Sequence, residues 1–260
     1  MALDLVDVEL EIEALQLQDD VLPAASGFRI ARVIGSGMPV HGPRVVGMVL
    51  APADEGAGSS SRVPASRCFE LPRDLPLDRA VIVPSLAYAL WIWDACGLEI
   101  GDVAVYTSGS AVDRLIARIA AWRCGGRIIR LDTGDAEWDS AAEVTILEVP
   151  DPQEAVEKLA QALRSAPGVA AAVMTGDAAV MDVILEAIPM WGRVVLASRT
   201  TDAATVDFYN NVHRKGCRIV SVPGSPDDIF DAHWIQFAAS HIVRAVRILQ
   251  NDALAARCMT

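Results

Sequence analysis

The residues best placed to do chemistry crowd into one stretch, Val103 to Asp132, which reads "VAVYTSGSAVDRLIARIAAWRCGGRIIRLD". An apolar run leads into a turn of small residues, a helical pattern, a second apolar run and a terminal acid, the outline of a dinucleotide-binding unit. Tyr106 stands at the end of the first run, and strand ends in such sheets face the ligand crevice. Two readings of it stay open: a hydrogen-bond donor to a substrate carbonyl, with Thr107 and Ser108 beside it, or an aromatic plug in space that a nicotinamide would need. Ser198 and Arg199 follow a later apolar run and reach the same edge, where Arg199 suits an anionic substrate or a phosphate. The four histidines, His41, His213, His233 and His241, have no partner at metal-ligand spacing. No Ser, His and Asp set with hydrolase spacing is visible.

These residues need a folded frame, and the composition supplies one. The chain has 260 residues, of which 52% are hydrophobic, enough for a sizeable core. A net charge of −12 argues against nucleic acid or an anionic membrane as partner, since either requires a basic face. Met1 is followed by Asp4, Asp7 and Glu9 rather than by a basic start and an apolar core, so no secretory signal is expected. The longest apolar stretch, Ala80 to Trp93, is broken by Pro84 and Ser85 and is too short to span a bilayer. A soluble cytoplasmic protein is expected. Its five scattered cysteines, Cys68, Cys96, Cys124, Cys217 and Cys258, read as buried thiols.

The opening "VDVELEIEALQL" alternates with the period of a half-exposed strand, and "FRIARVI" and "PRVVGMVLAP" flank the turn-forming "GSGMPVHG". Together they predict a small antiparallel β domain, with Ala53 to Arg62 as an exposed loop. Beyond "ELPRDLPLDRA" the texture changes. Strands are predicted at Val103–Tyr106, Arg127–Leu131, Val144–Leu147, Val169–Met174, Arg193–Ala197 and Arg218–Val222. Helices are predicted at Ala111–Arg123, Pro152–Ser165, Asp177–Ile188 and Ala203–Lys215. Uniformly apolar strands joined by helices imply an α/β fold, a doubly wound parallel sheet of Rossmann type with six strands. A closing helix carries Ile235, Ala239, Ile242, Val246 and Leu249 on one stripe. The predicted domains are residues 1–78 and 79–260.

Read together, "SRVPASRCFELPRDLPLDRAVIVPSLAYALWIWDACGLEIGDVAVY" and "GRVVLAS...VDFYNNVHRKGCRIVSV" resemble the medium-chain dehydrogenase/reductase family of alcohol dehydrogenases and zinc-free quinone oxidoreductases. The resemblance covers nearly the whole chain. It implies a reduced GroES-like β domain ahead of the Rossmann-type region, and a small-molecule ligand in the cleft between them. In zinc-dependent members a Gly-His-Glu precedes a strand of the first domain, and the matching residues here are Gly27, Phe28 and Arg29. The family's first Cys ligand falls near Leu15 to Asp20, where no Cys stands. Catalytic zinc needs about three protein ligands, so no zinc is expected.

In the family, the turn after the first sheet strand carries three glycines that let the backbone approach a pyrophosphate. The matching positions are Ser108, Ser110 and Asp113, with Gly109 between the serines. Zinc-free relatives also carry alanine or serine early in this turn. Asp113 is the larger departure, because a carboxylate about 5 Å from a pyrophosphate, at an effective dielectric of about 20, is repelled by roughly 3 kcal/mol. The other reading makes it a first-turn acid complementing the helix dipole. Asp132 ends the second strand, where an acid holds the adenosine ribose and favours NAD, and it reads equally as a plain strand-end acid.

Family members return after the last cofactor-domain helix to complete the first domain, and no such leg is visible before the end at "NDALAARCMT". A more open substrate half is therefore expected. The resemblance also implies a homodimer joined through the last strand, "RIVSV". Three functions follow. The first is a divergent, zinc-free, non-redox biosynthetic enzyme or ligand-binding partner with NAD(P) absent or weakly bound. The second is a zinc-independent NAD(P)H oxidoreductase acting on a carbonyl or activated alkene. The third is a structural subunit of a hetero-oligomer.

Overall fold

The computed structural model describes residues 9–14, 28–36, 48–52, 60–64, 68–107, 111–124, 128–132, 144–148, 152–164, 170–174, 179–197, 205–230 and 234–259. The chain divides into two compact units, Met1–Ala87 with Pro226–Thr260, and Tyr88–Ser225.

The first unit holds an antiparallel sheet of strands β1 (Glu9–Ala14), β2 (Phe28–Ser36), β3 (Met48–Pro52), β4 (Ser60–Pro64) and β5 (Phe69–Leu71), in the order β4-β1-β2-β3-β5. The alternation in β1 forms a strand as predicted. Residues 60–62, predicted as the end of a loop, instead begin edge strand β4, where Arg62 pairs in register with Glu11. A polar edge strand needs only backbone partners on one side, so its composition hides it.

The same unit contains α1 (Leu77–Ala80), α6 (Ile235–Gln250) and α7 (Asp252–Met259). The amphipathic pattern of α6 buries Ala238, Ile242, Ala245, Val246 and Leu249. Arg79 fastens this end: its Nη1 donates to the Leu249 carbonyl at 2.9 Å and its Nη2 pairs with Asp252 at 2.7 Å. Asn251 separates the helices, and its side-chain oxygen accepts from the backbone N–H groups of Ala253 and Leu254, an N-cap for α7. The chain therefore does return to its first unit. Sequence stripes show that a helix must bury a face, not which element receives it, and so the leg was invisible.

In the second unit six strands form one parallel sheet: β6 (Val103–Thr107), β7 (Ile128–Asp132), β8 (Val144–Glu148), β9 (Ala170–Met174), β10 (Arg193–Leu196) and β11 (Arg218–Ser221). Their order is β11-β10-β9-β6-β7-β8, which is 3-2-1-4-5-6 counted along the chain and read from the far edge. Each lies within a residue or so of its predicted span. Helices α3 (Ala111–Cys124), α4 (Pro152–Arg164) and α5 (Ala179–Ala187) alternate with them. Leu159, Leu163, Ile184 and Leu185 of α4 and α5 pack with Val103, Val105, Ile129 and Val194 into one core.

The apolar run broken by Pro84 and Ser85 is itself a helix, α2 (Val83–Cys96). Proline is accommodated in a first turn because it lacks only an N–H that would have no helical partner there. Of the predicted helix Ala203–Lys215, residues 205–215 are described, and within them Phe208–His213 forms a π-helical turn. Asp207 caps it, its Oδ1 accepting from the Asn210 backbone N–H at 3.0 Å.

Candidate functional site

In this strand order the carboxyl ends of β6 and β9 diverge into connections on opposite sides, the switch point where such sheets bind ligands. Strand β6 is buried along its whole length, and Thr107 at its end is 2% exposed. Ser108, Gly109 and Ser110, the turn that would cradle a phosphate, lie outside the described residues, as do Ser198 and Arg199. Asp113 occupies the third position of α3, inside its first turn, and Asp132 is the last residue of β7, in register with Glu148 of β8. Their side chains are outside the described part. Of the histidines, His213 closes the π-helical turn with its ring stacked on Tyr209, and His241 sits on α6. His41 and His233 fall outside the described residues. Among the described residues no three of His, Cys, Asp and Glu stand close enough to hold a metal.

Tyr106 is fully buried. Its neighbours in register are Arg130 on β7 and Val173 on β9, and strand alternation puts it on the face opposite the core formed by Val103 and Val105. Arg130 shares that face and is 1% exposed, so an arginine lies in the interior of the sheet. Sequence reasoning passed over it, although "RIIRLD" shows a charge inside an apolar strand.

Several hydrogen bonds hold the sheet ends in place. The Tyr88 hydroxyl donates to the Ala197 carbonyl at 3.0 Å, fixing α2 to the carboxyl end of β10. Trp93 Nε1 donates to the Ile116 carbonyl at 2.7 Å, joining α2 to α3. Arg193 binds the Asp102 carboxylate and donates to the Gly97 carbonyl, tying together the amino ends of β6 and β10.

The other unusual feature lies at the amino end of β11. Trp191 has φ 67, the left-handed region, and is 67% exposed. Its backbone N–H donates to the Lys215 carbonyl at 2.7 Å, and its ring covers Gly216 so closely that a Cβ there would fall 2.8 Å from it. Nearby, Lys215 Nζ donates to the carbonyls of Leu185, Glu186 and Ile188. Burial pushes its ammonium below the usual lysine range, and burial pushes the Cys217 thiol up.

No protein-family model and no curated protein matches the sequence. Solved structures do match its fold. Galactitol-1-phosphate dehydrogenase from Escherichia coli superimposes with a TM-score of 0.68 at 11% identity, over 98% of this chain and 83% of that one. The chain has the medium-chain dehydrogenase/reductase fold. That fold is shared with 2R,3R-butanediol dehydrogenase from Bacillus subtilis, at TM-score 0.64 and 16% identity over 94% of this chain and 89% of that one. A mycobacterial protein solved in complex with NADPH matches at TM-score 0.61 and 18% identity, over 96% of this chain and 89% of that one. On the medium-chain dehydrogenase/reductase fold, the crevice end of β6 and the first turn of α3 are where a dinucleotide fingerprint belongs.

Proposed function

We propose that this chain is a divergent, zinc-free medium-chain dehydrogenase/reductase protein that has lost efficient dinucleotide use and acts as a non-redox biosynthetic enzyme or a small-molecule-binding partner. The observation that carries the proposal is Asp113. It replaces the last fingerprint glycine and occupies the first turn of α3, where the helix N-terminus would otherwise attract a pyrophosphate. Ser108 and Ser110 replace the other two glycines. The burial of Tyr106 directly before this turn supports the plug reading over the donor reading. Phe28, at the start of β2, replaces the family's zinc-binding His. Cytoplasmic residence and a homodimer joined through β11 belong to the same proposal.

Asp132 at the end of β7 favours the second reading, an NAD(P)H oxidoreductase acting on a carbonyl or activated alkene. Fluorescence titration of the purified chain with NADH and NADPH separates the two. The expected outcome is no saturable binding in the micromolar range, and saturable binding there transfers the proposal to the oxidoreductase. With Asp113→Gly, binding is expected to strengthen by on the order of a hundredfold. An unchanged titration would show that the carboxylate is not the obstacle.

A further inference from the structure

Arg130, third of the five residues of β7, is 1% exposed and lies on the sheet face opposite the Val103 and Val105 core. Helix α3 covers that opposite face: it packs on β6 and β7, and none of its described residues joins the core formed with α4 and α5. Its buried stripe runs through Ile116, Ala117, Ala120 and Cys124. Helical spacing carries the same stripe back to Asp113 in the first turn. An acid and a base thus stand in two elements that otherwise present apolar faces to each other.

A guanidinium taken out of water needs a counter-charge as well as hydrogen-bond acceptors. On the helices of this side the choice is narrow. Trp93 joins α2 to α3, and the acids of these two helices are Asp94 and Asp113. Asp94 binds Arg123. Asp132, two residues beyond Arg130 and on the same strand face, ends β7 in register with Glu148, so it stands at the crevice edge beside a like charge. Asp113 suits the role better. Because α3 follows β6 and runs back to the start of β7, its first turn lies toward the carboxyl ends of both strands.

We infer that Arg130 is the internal counter-charge of Asp113, and that this ion pair fills the place where the last fingerprint glycine would let helix and strand close together beside a pyrophosphate. A carboxylate in the buried stripe of a helix and an arginine inside a strand are each unfavourable alone, and here they offset each other. The pair leaves a phosphate neither the space of a glycine nor a cation that is not already engaged. Its effect on dinucleotides rests on the reading of Asp113 proposed above, whereas the pair itself does not.

A double-mutant cycle read by urea unfolding tests it. Asp113→Asn is expected to raise the unfolding constant by about tenfold or more in the wild type and by much less in Arg130→Met, whereas Asp132→Asn should cost little in either. Equal losses from Asp113→Asn in both backgrounds, or a coupling to Arg130 carried by Asp132 instead, overturn the pair. Should Arg130→Met fail to fold, the wild-type comparison of Asp113→Asn with Asp132→Asn decides on its own. Inorganic phosphate is expected to raise the thermal midpoint of Asp113→Gly and to leave the wild type unmoved. A midpoint that phosphate does not raise in Asp113→Gly overturns the hold of the pair on the phosphate position. Saturable NADPH binding by the wild type sinks the earlier reading alone, because the coupling is measured without nucleotide.

Discussion

Arg130 lies in the interior of a parallel sheet with 1% of its surface exposed, beside a fully buried Tyr106. A guanidinium is tolerated there only when its charge and its N–H groups are matched, and its long stem fills volume as an aliphatic chain would. Arg130→Ala removes both, so it is expected to lower stability by about 3 kcal/mol in a urea titration. A loss below about 1 kcal/mol would show that the sheet face closes over the gap without it. The charge itself was legible in "RIIRLD", but its burial was not, because a charge in an apolar run also fits a strand end reaching solvent. Register with Tyr106 on one side and Ile146 on the other decides the matter. Trp191 was less legible still, since nothing in "PMWGR" shows that the tryptophan rather than the glycine takes the left-handed angle.

Among the elements, α5 depends on a cap supplied from a distant position. Three carbonyls at its carboxyl end accept from Lys215, which brings positive charge to the negative end of the helix dipole. Lys215→Met leaves those carbonyls without their donor and is expected to destabilise the fold by about 1 kcal/mol. It should also alter the pH dependence. Desolvation outweighs the pull of Cys217 and Glu186, so the folded chain releases the Lys215 proton at lower pH than the unfolded chain does. Stability linked to this group therefore rises with pH between the lowered folded value and the ordinary lysine value of about 10.4, and it is lost as pH falls back through that window. Urea midpoints across this range should show the rise in the wild type and its absence in Lys215→Met. Strand β6 was readable because a parallel strand buried along its whole length is a near-continuous apolar run. Edge strand β4 was not, since "SSRVP" is held in the sheet by backbone pairing with β1 rather than marked by its composition.

Across the whole molecule, the unexpected element is the terminal segment. Its amphipathic stripe predicted a helix correctly, and the sequence boundary at residue 78 joined that helix to the sheet region. Pro226–Thr260 instead groups with Met1–Ala87, where α6 buries Ile242, Ala245 and Leu249 and Arg79 holds both the end of α6 and the start of α7. The first unit is thus built from both ends of the chain, and its core is incomplete until the last residues arrive. A chain ended after Ser225 should then lose that unit and spare the other. Burying four or five apolar side chains contributes on the order of 10 kcal/mol, comparable to the whole stability of a small domain. Limited proteolysis of the shortened chain is expected to cut within residues 1–87 while Tyr88–Ser225 stays protected. Cleavage concentrated in the sheet strands β6 to β11 would mean that α6 and α7 support the second unit instead, as the sequence boundary implied.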